Sequence, residues 1–170
     1  MSILVMVGAP ASGKSTVGRL LAERLGVDFI DVDAAIEEQV GKRIGDIFVD
    51  HGEAEFRRME VDATLALIQQ PAVVSLGGGA VLSPDVRAAL ADHLTCWLQV
   101  SVTHATRRVG MNVMRPLLLG DVRKNLEKLL AEREPFYREV ADITIDTTDL
   151  KPDEIVDQLV AEVSSAKEQQ

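Results

Sequence analysis

The chain has 170 residues, of which 46% are hydrophobic and only 4% aromatic, and its formal net charge is −9. That length and apolar fraction fit one domain with a single sizeable core built from Leu, Val, Ile and Ala rather than from rings. The negative balance argues against nucleic acid as a partner, so an anionic ligand must be captured by a local cluster of cations and backbone N–H groups.

The chain opens with an apolar run, Ile3-Leu4-Val5-Met6-Val7, that reads as a buried strand. Five apolar residues are too few for a signal peptide or a membrane span, and the expectation is a cytoplasmic protein with no membrane partner. Gly8-Ala9-Pro10-Ala11-Ser12-Gly13-Lys14-Ser15 follows, and a helical pattern runs from Thr16 to Leu25, stopped by Gly26. The spacing G-x4-G-K-S between a strand and a helix is that of a phosphate-binding loop. Its glycines let successive N–H groups point at phosphate oxygens, and the positive end of the helix strengthens that field. Lys14 then reaches the β- and γ-phosphates, and the Ser15 hydroxyl is placed to ligate Mg2+. The chain therefore reads as a nucleoside-triphosphate binder.

A short strand, Phe29–Val32, ends in the pair Asp31 and Asp33. In an extended chain these two side chains point to one side, at the carboxyl end of a strand where open α/β sheets bind ligands. They suit Mg2+ held through water and acceptance of a proton from a substrate hydroxyl; a turn with a helix N-cap is the other reading. Residues 53–68 read as a helix, with Phe56, Met59, Ala63 and Leu67 on one stripe. Arg57 and Glu60 share a face of it, either as a solvated ion pair or as a guanidinium aimed at a carboxylate.

Val73–Leu76 reads as the third strand and runs directly into Gly77-Gly78-Gly79, where a ligand can approach the backbone closely. Ser83-Pro84-Asp85 opens a helix with an N-cap serine and a proline in the first turn. Cys96–Val100 is the fourth strand, and Cys96, the only cysteine, reads as a buried inert thiol that excludes an intramolecular disulfide. Residues 110–124, punctuated by Gly110, Pro116 and Gly120, fit neither period and read as a lid or as an ordinary surface loop. Arg107, Arg108, Arg115 and Arg133 complete a basic set in an acidic protein. Ile143–Ile145 is the last strand, and a helix from Pro152 to about Ser164 leaves a polar tail, 166–170. Alternating strand and helix patterns make this an α/β chain.

Taken together, Asp31-Val32-Asp33, Phe56-Arg57-Arg58-Met59-Glu60, Ser75-Leu76-Gly77-Gly78-Gly79-Ala80, Arg115-Pro116-Leu117-Leu118 and Arg133-Glu134-Pro135-Phe136-Tyr137 resemble the shikimate kinase family, over about residues 3–160. The resemblance implies a phosphate-loop kinase of the nucleoside-monophosphate-kinase type: three layers, α/β/α, around a five-stranded parallel sheet, with a mobile lid. It implies a single kinase domain over residues 1–165, acceptor-binding helices at about 34–62, and a monomer.

The activity it implies is transfer of the γ-phosphoryl group of ATP to the 3-hydroxyl of shikimate, with Mg2+. Carried over residue by residue, Asp33 is the base, and Arg57 and Arg133 grip the carboxylate with Glu60 orienting Arg57. Gly77, Gly78 and Gly79 meet the acceptor, while Phe48 and Phe56 wall it. Residues Gly8 to Thr16 hold the nucleotide phosphates, Ser15 and Asp31 organise Mg2+, Lys14 and Arg115 neutralise the transferring group, and Arg108 lies against adenine. One departure stands out: the run Asp146-Thr147-Thr148-Asp149-Leu150-Lys151-Pro152 lacks the arginine that family members often carry beside adenine. A kinase of another small hydroxy acid such as gluconate, and a nucleotide-dependent binder without turnover, are the alternatives at this point.

Overall fold

β1 (Leu4–Val7) is the middle of a five-stranded parallel sheet, flanked on one side by β3 (Ala72–Ser75) and β2 (Asp28–Asp31) and on the other by β4 (Thr95–Gln99) and β5 (Ile143–Asp146). The structure, a computed structural model, describes residues 1–111 and 121–168. Register is continuous across the sheet, with Val5 opposite both Val74 and Thr95, and Ile30 opposite Val74. Every residue of β1 and β3 is buried. This is why both strands read as unbroken aliphatic runs: helices cover both faces of a parallel sheet.

The sheet divides the expected single core into two layers, because alternate residues of a strand face opposite ways. Val5, Val7, Val74 and Trp97 pack with Ile36, Ile47, Phe56 and Tyr137 on one face. Leu4, Met6, Val73, Cys96 and Leu98 pack with Val17, Leu21, Ile155 and Leu159 on the other. Burial pushes the Cys96 thiol up to about 12, which makes it the inert core residue expected from its surroundings.

α1 (Lys14–Leu25) and α7 (Pro152–Glu168) cover the second face. α1 ends at Gly26 with φ 66, the left-handed cap that glycine accepts most readily. α7 continues to Glu168, so residues 166–168 of the expected tail are helical. On the first face lie α2 (Val32–Val40), α3 (Ile44–Leu67), α4 (Pro84–Leu90) and α6 (Val122–Val140), joined by a short 3-10 turn at Ala80–Leu82. The helix expected over 53–68 is the C-terminal part of α3, which Gly52 breaks with non-helical φ 81 and ψ 166.

α5 (Val102–Met111) precedes the segment read as a lid. The two ends of that segment belong to α5 and α6. Residues 112–120, with Arg115, lie outside the described residues. No helix among the described residues is long and apolar enough to cross a membrane.

Candidate active site

The loop between β1 and α1 bends through three left-handed or near-extended positions, Gly8 (φ 150), Ala11 (φ 63) and Gly13 (φ 92). A Cβ on Gly8 would sit 2.7 Å from the carbonyl oxygen of Leu98, so the first glycine of the motif is required by β4 behind it as well as by the turn. Lys14 Nζ donates to the carbonyls of Gly8 at 2.8 Å and Ala9 at 2.9 Å, and lies 3.4 Å from Ser12 Oγ. The ammonium therefore arches back over the loop, the position from which it can meet phosphate oxygens entering there. Arg108 Nη1 donates to the Ala11 carbonyl at 3.0 Å, which brings α5 onto the same loop. Thr16, in the first turn of α1, is exposed.

Asp31 is both the last residue of β2 and the N-cap of α2. Its Oδ1 accepts from the Ala34 N–H at 3.2 Å and its Oδ2 from the Ser15 hydroxyl at 2.7 Å. The capping reading of this residue holds, and its second oxygen is engaged by Ser15 of the phosphate loop. Asp33 is not on the strand, as the alternation argument had it; it is in the first turn of α2. It still reaches the same cavity, because α2 turns across the end of the sheet immediately after Asp31.

That cavity is about 390 Å³ and is lined by residues of the phosphate loop together with residues of α2, α3 and α6. Lys14, Ser15, Asp31, Asp33, Phe48, Phe56, Arg57, Glu60, Gly78, Gly79 and Arg133 all line it. The structure brings together residues far apart in the chain. Phe48 and Phe56 pack at a tilt of 37° with ring centroids 4.7 Å apart and form an apolar wall. Arg57 donates to Glu60 at 2.6 Å, and its second acidic neighbour, Glu53, is 3.7 Å away. Glu60 is 1% exposed, which rules out the solvated-pair reading. Burial pushes its carboxyl above the usual range while Arg57 and Arg133 pull it back.

Arg133, on α6, is buried, and that burial pulls its guanidinium below the ordinary value, with Tyr137 acting the other way. Buried Arg133 and half-buried Arg57 line this end of the cavity with the buried Glu60 carboxylate in their field, and paired guanidinium groups suit a carboxylate ligand.

The three glycines have three different jobs. A Cβ on Gly77 would meet Glu60 Oε2 at 2.5 Å and Asp33 Oδ1 at 2.6 Å, so Gly77 sits behind the wall and lets those two acids close up. A Cβ on Gly78 would approach Pro10 at 3.1 Å and Arg133 Nη1 at 3.2 Å, and one on Gly79 would strike the Arg57 guanidinium. Sequence reasoning placed all three against the acceptor; Gly77 is not among the residues that line the cavity. It also missed Tyr137, whose hydroxyl donates to the Gly78 carbonyl at 2.5 Å. An aromatic one turn after Arg133 on the same helix face was the available signal.

Ser15 Oγ and Asp31 Oδ2 offer two hard oxygen donors 2.7 Å apart beside Lys14, a pair that fits Mg2+ completed by phosphate and water oxygens.

The shikimate kinase family model matches residues 10–164. The shikimate kinase of Thermobifida fusca is 46% identical over 165 residues, covering 96% of each chain. That of Mycobacterium avium is 50% identical over 159 residues, covering 92% of this chain and 90% of the relative. Among solved structures, the shikimate kinase of Acinetobacter baumannii in complex with shikimate superposes with a TM-score of 0.92 at 35% identity, covering 96% of this chain and 93% of that one. A gluconokinase from Sinorhizobium meliloti matches at a TM-score of 0.56 and 21% identity, a likeness of fold alone. The chain belongs to the shikimate kinase family.

Proposed function

We propose that this chain transfers the γ-phosphoryl group of ATP to the 3-hydroxyl of shikimate, giving shikimate 3-phosphate and ADP. The observation that carries this reading is one cavity lined at once by Lys14 and Ser15 of the phosphate loop, by Asp33 and by both Arg57 and Arg133. A gluconate acceptor would also present a carboxylate. The extent of identity to curated shikimate kinases favours shikimate.

In this reading the carboxylate of shikimate is held by Arg57 and Arg133, with Glu60 fixing the plane of Arg57. Phe48 and Phe56 pack the ring, and the backbone of Gly78 and Gly79 meets its far edge. The clamp turns the 3-hydroxyl toward Asp33 and toward the phosphate loop. The hydroxyl oxygen bonds to the γ-phosphorus, the bond from that phosphorus to the bridging oxygen breaks, ADP departs, and the hydroxyl proton passes to the Asp33 carboxylate. Lys14 follows the charge on the transferring group, as does Arg115 from the lid segment. Ser15 and Asp31 would hold Mg2+, which neutralises phosphate charge when bound. Arg108 would border the adenine.

Positioning and electrostatics do the work, and no covalent enzyme intermediate is needed. Phosphorus NMR of the product tests the proposal. A phosphorus resonance coupled to the ring proton at C3 is expected, and coupling to another ring position would overturn the assigned orientation.

A further inference from the structure

Arg43 occupies the N-cap position of α3, where Ser, Thr, Asp or Asn is favoured because a short polar side chain can satisfy the first free N–H groups. It makes no side-chain cap hydrogen bond. Glu37, on the preceding helix, does that work instead: its Oε2 accepts from the Ile44 N–H at 3.1 Å. The Arg43 side chain is exposed and lines the acceptor cavity beside Phe48. Among the described residues, no hydrogen bond or ion pair is found for its guanidinium. This contrasts with Arg24, Arg57, Arg58, Arg87, Arg123 and Arg138, each paired with a carboxylate. A local structural rule is thus set aside at the rim of the site, and the cation so placed is left available.

The charges around the cavity give that cation a role. Four basic and four acidic side chains line it, so without Arg43 the acids outnumber the bases. The protein as a whole carries −9, and an anionic acceptor approaches against that field. Arg133 is buried, and Arg57 is shared between Glu60 and Glu53, so neither projects much charge outward. Arg43 is the basic lining residue that is exposed at the mouth.

We propose that Arg43 is a specificity-determining residue of this enzyme that attracts the carboxylate of the acceptor at the cavity mouth and hands it to Arg57 and Arg133. The role rests on the acceptor-site reading above. It acts on capture of the anionic acceptor rather than on the phosphoryl transfer step, and through solvent, so it is screened by salt.

The test is steady-state kinetics of Arg43→Ser and Arg43→Lys at low and at high ionic strength, with Arg57→Ala measured in parallel. Serine restores a favoured N-cap, so the variant keeps its fold. At about 20 mM salt, Arg43→Ser is expected to raise the KM for shikimate about five-fold, with kcat and the KM for ATP within about two-fold of wild type. At about 500 mM salt the difference from wild type should shrink below about two-fold, because the screening length falls to roughly 4 Å. Arg43→Lys, which keeps the charge without the planar fork, should recover most of the low-salt KM. An unchanged shikimate KM at low salt, an equal rise in the KM for ATP, or a rise indifferent to salt would each overturn the proposal. If Arg57→Ala raises the shikimate KM and Arg43→Ser does not, Arg43 alone is misassigned. If neither variant moves it, the acceptor site itself is misassigned and the proposal falls with it.

Discussion

The Tyr137 hydroxyl donates to the Gly78 carbonyl at 2.5 Å, tying α6, which carries Arg133, to the glycine turn that follows β3. Burial pushes this phenol up to about 12, so it stays protonated and donating across the working pH range. Tyr137→Phe keeps the ring packed near Trp97, 5.8 Å between centroids, and removes the hydroxyl that bonds Gly78 and faces Arg133. A loss of about 1 kcal/mol is expected, seen as a drop in Tm of about 2–4 °C, together with a raised KM for shikimate. A variant with wild-type Tm and KM would show that the turn is held by other contacts.

Asp31 caps α2 and in the proposed function also holds Mg2+ with Ser15, and the two roles separate by substitution. Asparagine caps a helix about as well as aspartate, so Asp31→Asn should change stability by only about a few tenths of a kcal/mol. It removes the charge facing Ser15, and the Mg2+ concentration for half-maximal activity should rise by about ten-fold or more. A magnesium titration at saturating ATP and shikimate measures this. An unmoved midpoint with normal activity would remove Asp31 from the metal site.

Glu60 ties pH to the carboxylate clamp. Its folded pKa lies above the ordinary 4.5, so the native state holds the proton more tightly than the unfolded chain does. The contribution of this group to stability is therefore complete below 4.5 and is lost as pH rises through the folded value. Glu60→Gln should gain stability relative to wild type as pH rises through that window, in paired melts. Function runs the other way: protonated Glu60 has no charge with which to hold Arg57, so the wild-type KM for shikimate should rise as pH falls through the same window. That pH dependence should be absent in Glu60→Gln. A KM profile identical in the two proteins would exclude Glu60 as the group that orients Arg57.

Asp33 and Lys14 line one cavity and are assigned different duties. Asp33→Asn keeps the shape of the acid and removes its ability to take the hydroxyl proton. The expected loss is about 10²–10⁴ in kcat, with the KM for ATP close to wild type. Lys14→Ala should also cost on the order of several kcal/mol of transition-state stabilisation, but with weaker ATP binding. Full turnover in Asp33→Asn would eliminate the base assignment.

The legibility of this chain followed physical uniformity. Leu4–Val7 and Ala72–Ser75 were readable as strands because burial on both faces leaves a plain aliphatic run. The phosphate loop was readable because its glycine, lysine and serine spacing is local in sequence, even though β4 also requires the first glycine. α2 was harder: it starts at Val32 directly from the strand, and Asp31 is at once strand end, cap and Ser15 partner. A period-two reading therefore carried Asp33 one step too far along the strand. The duty of Gly77 was hidden because it depends on Glu60 and Asp33 arriving from two other helices. The bond of Tyr137 to Gly78 spans 59 residues, and no local pattern reports a contact at that separation.

The most direct measurement is ADP release with saturating ATP and Mg2+ and with shikimate, quinate or gluconate offered separately. If the proposed activity is right, release should be rapid with shikimate, slight with quinate and at background with gluconate, the shikimate signal being lost in Asp33→Asn. Faster release with gluconate than with shikimate, or no release with any of the three, would contradict it.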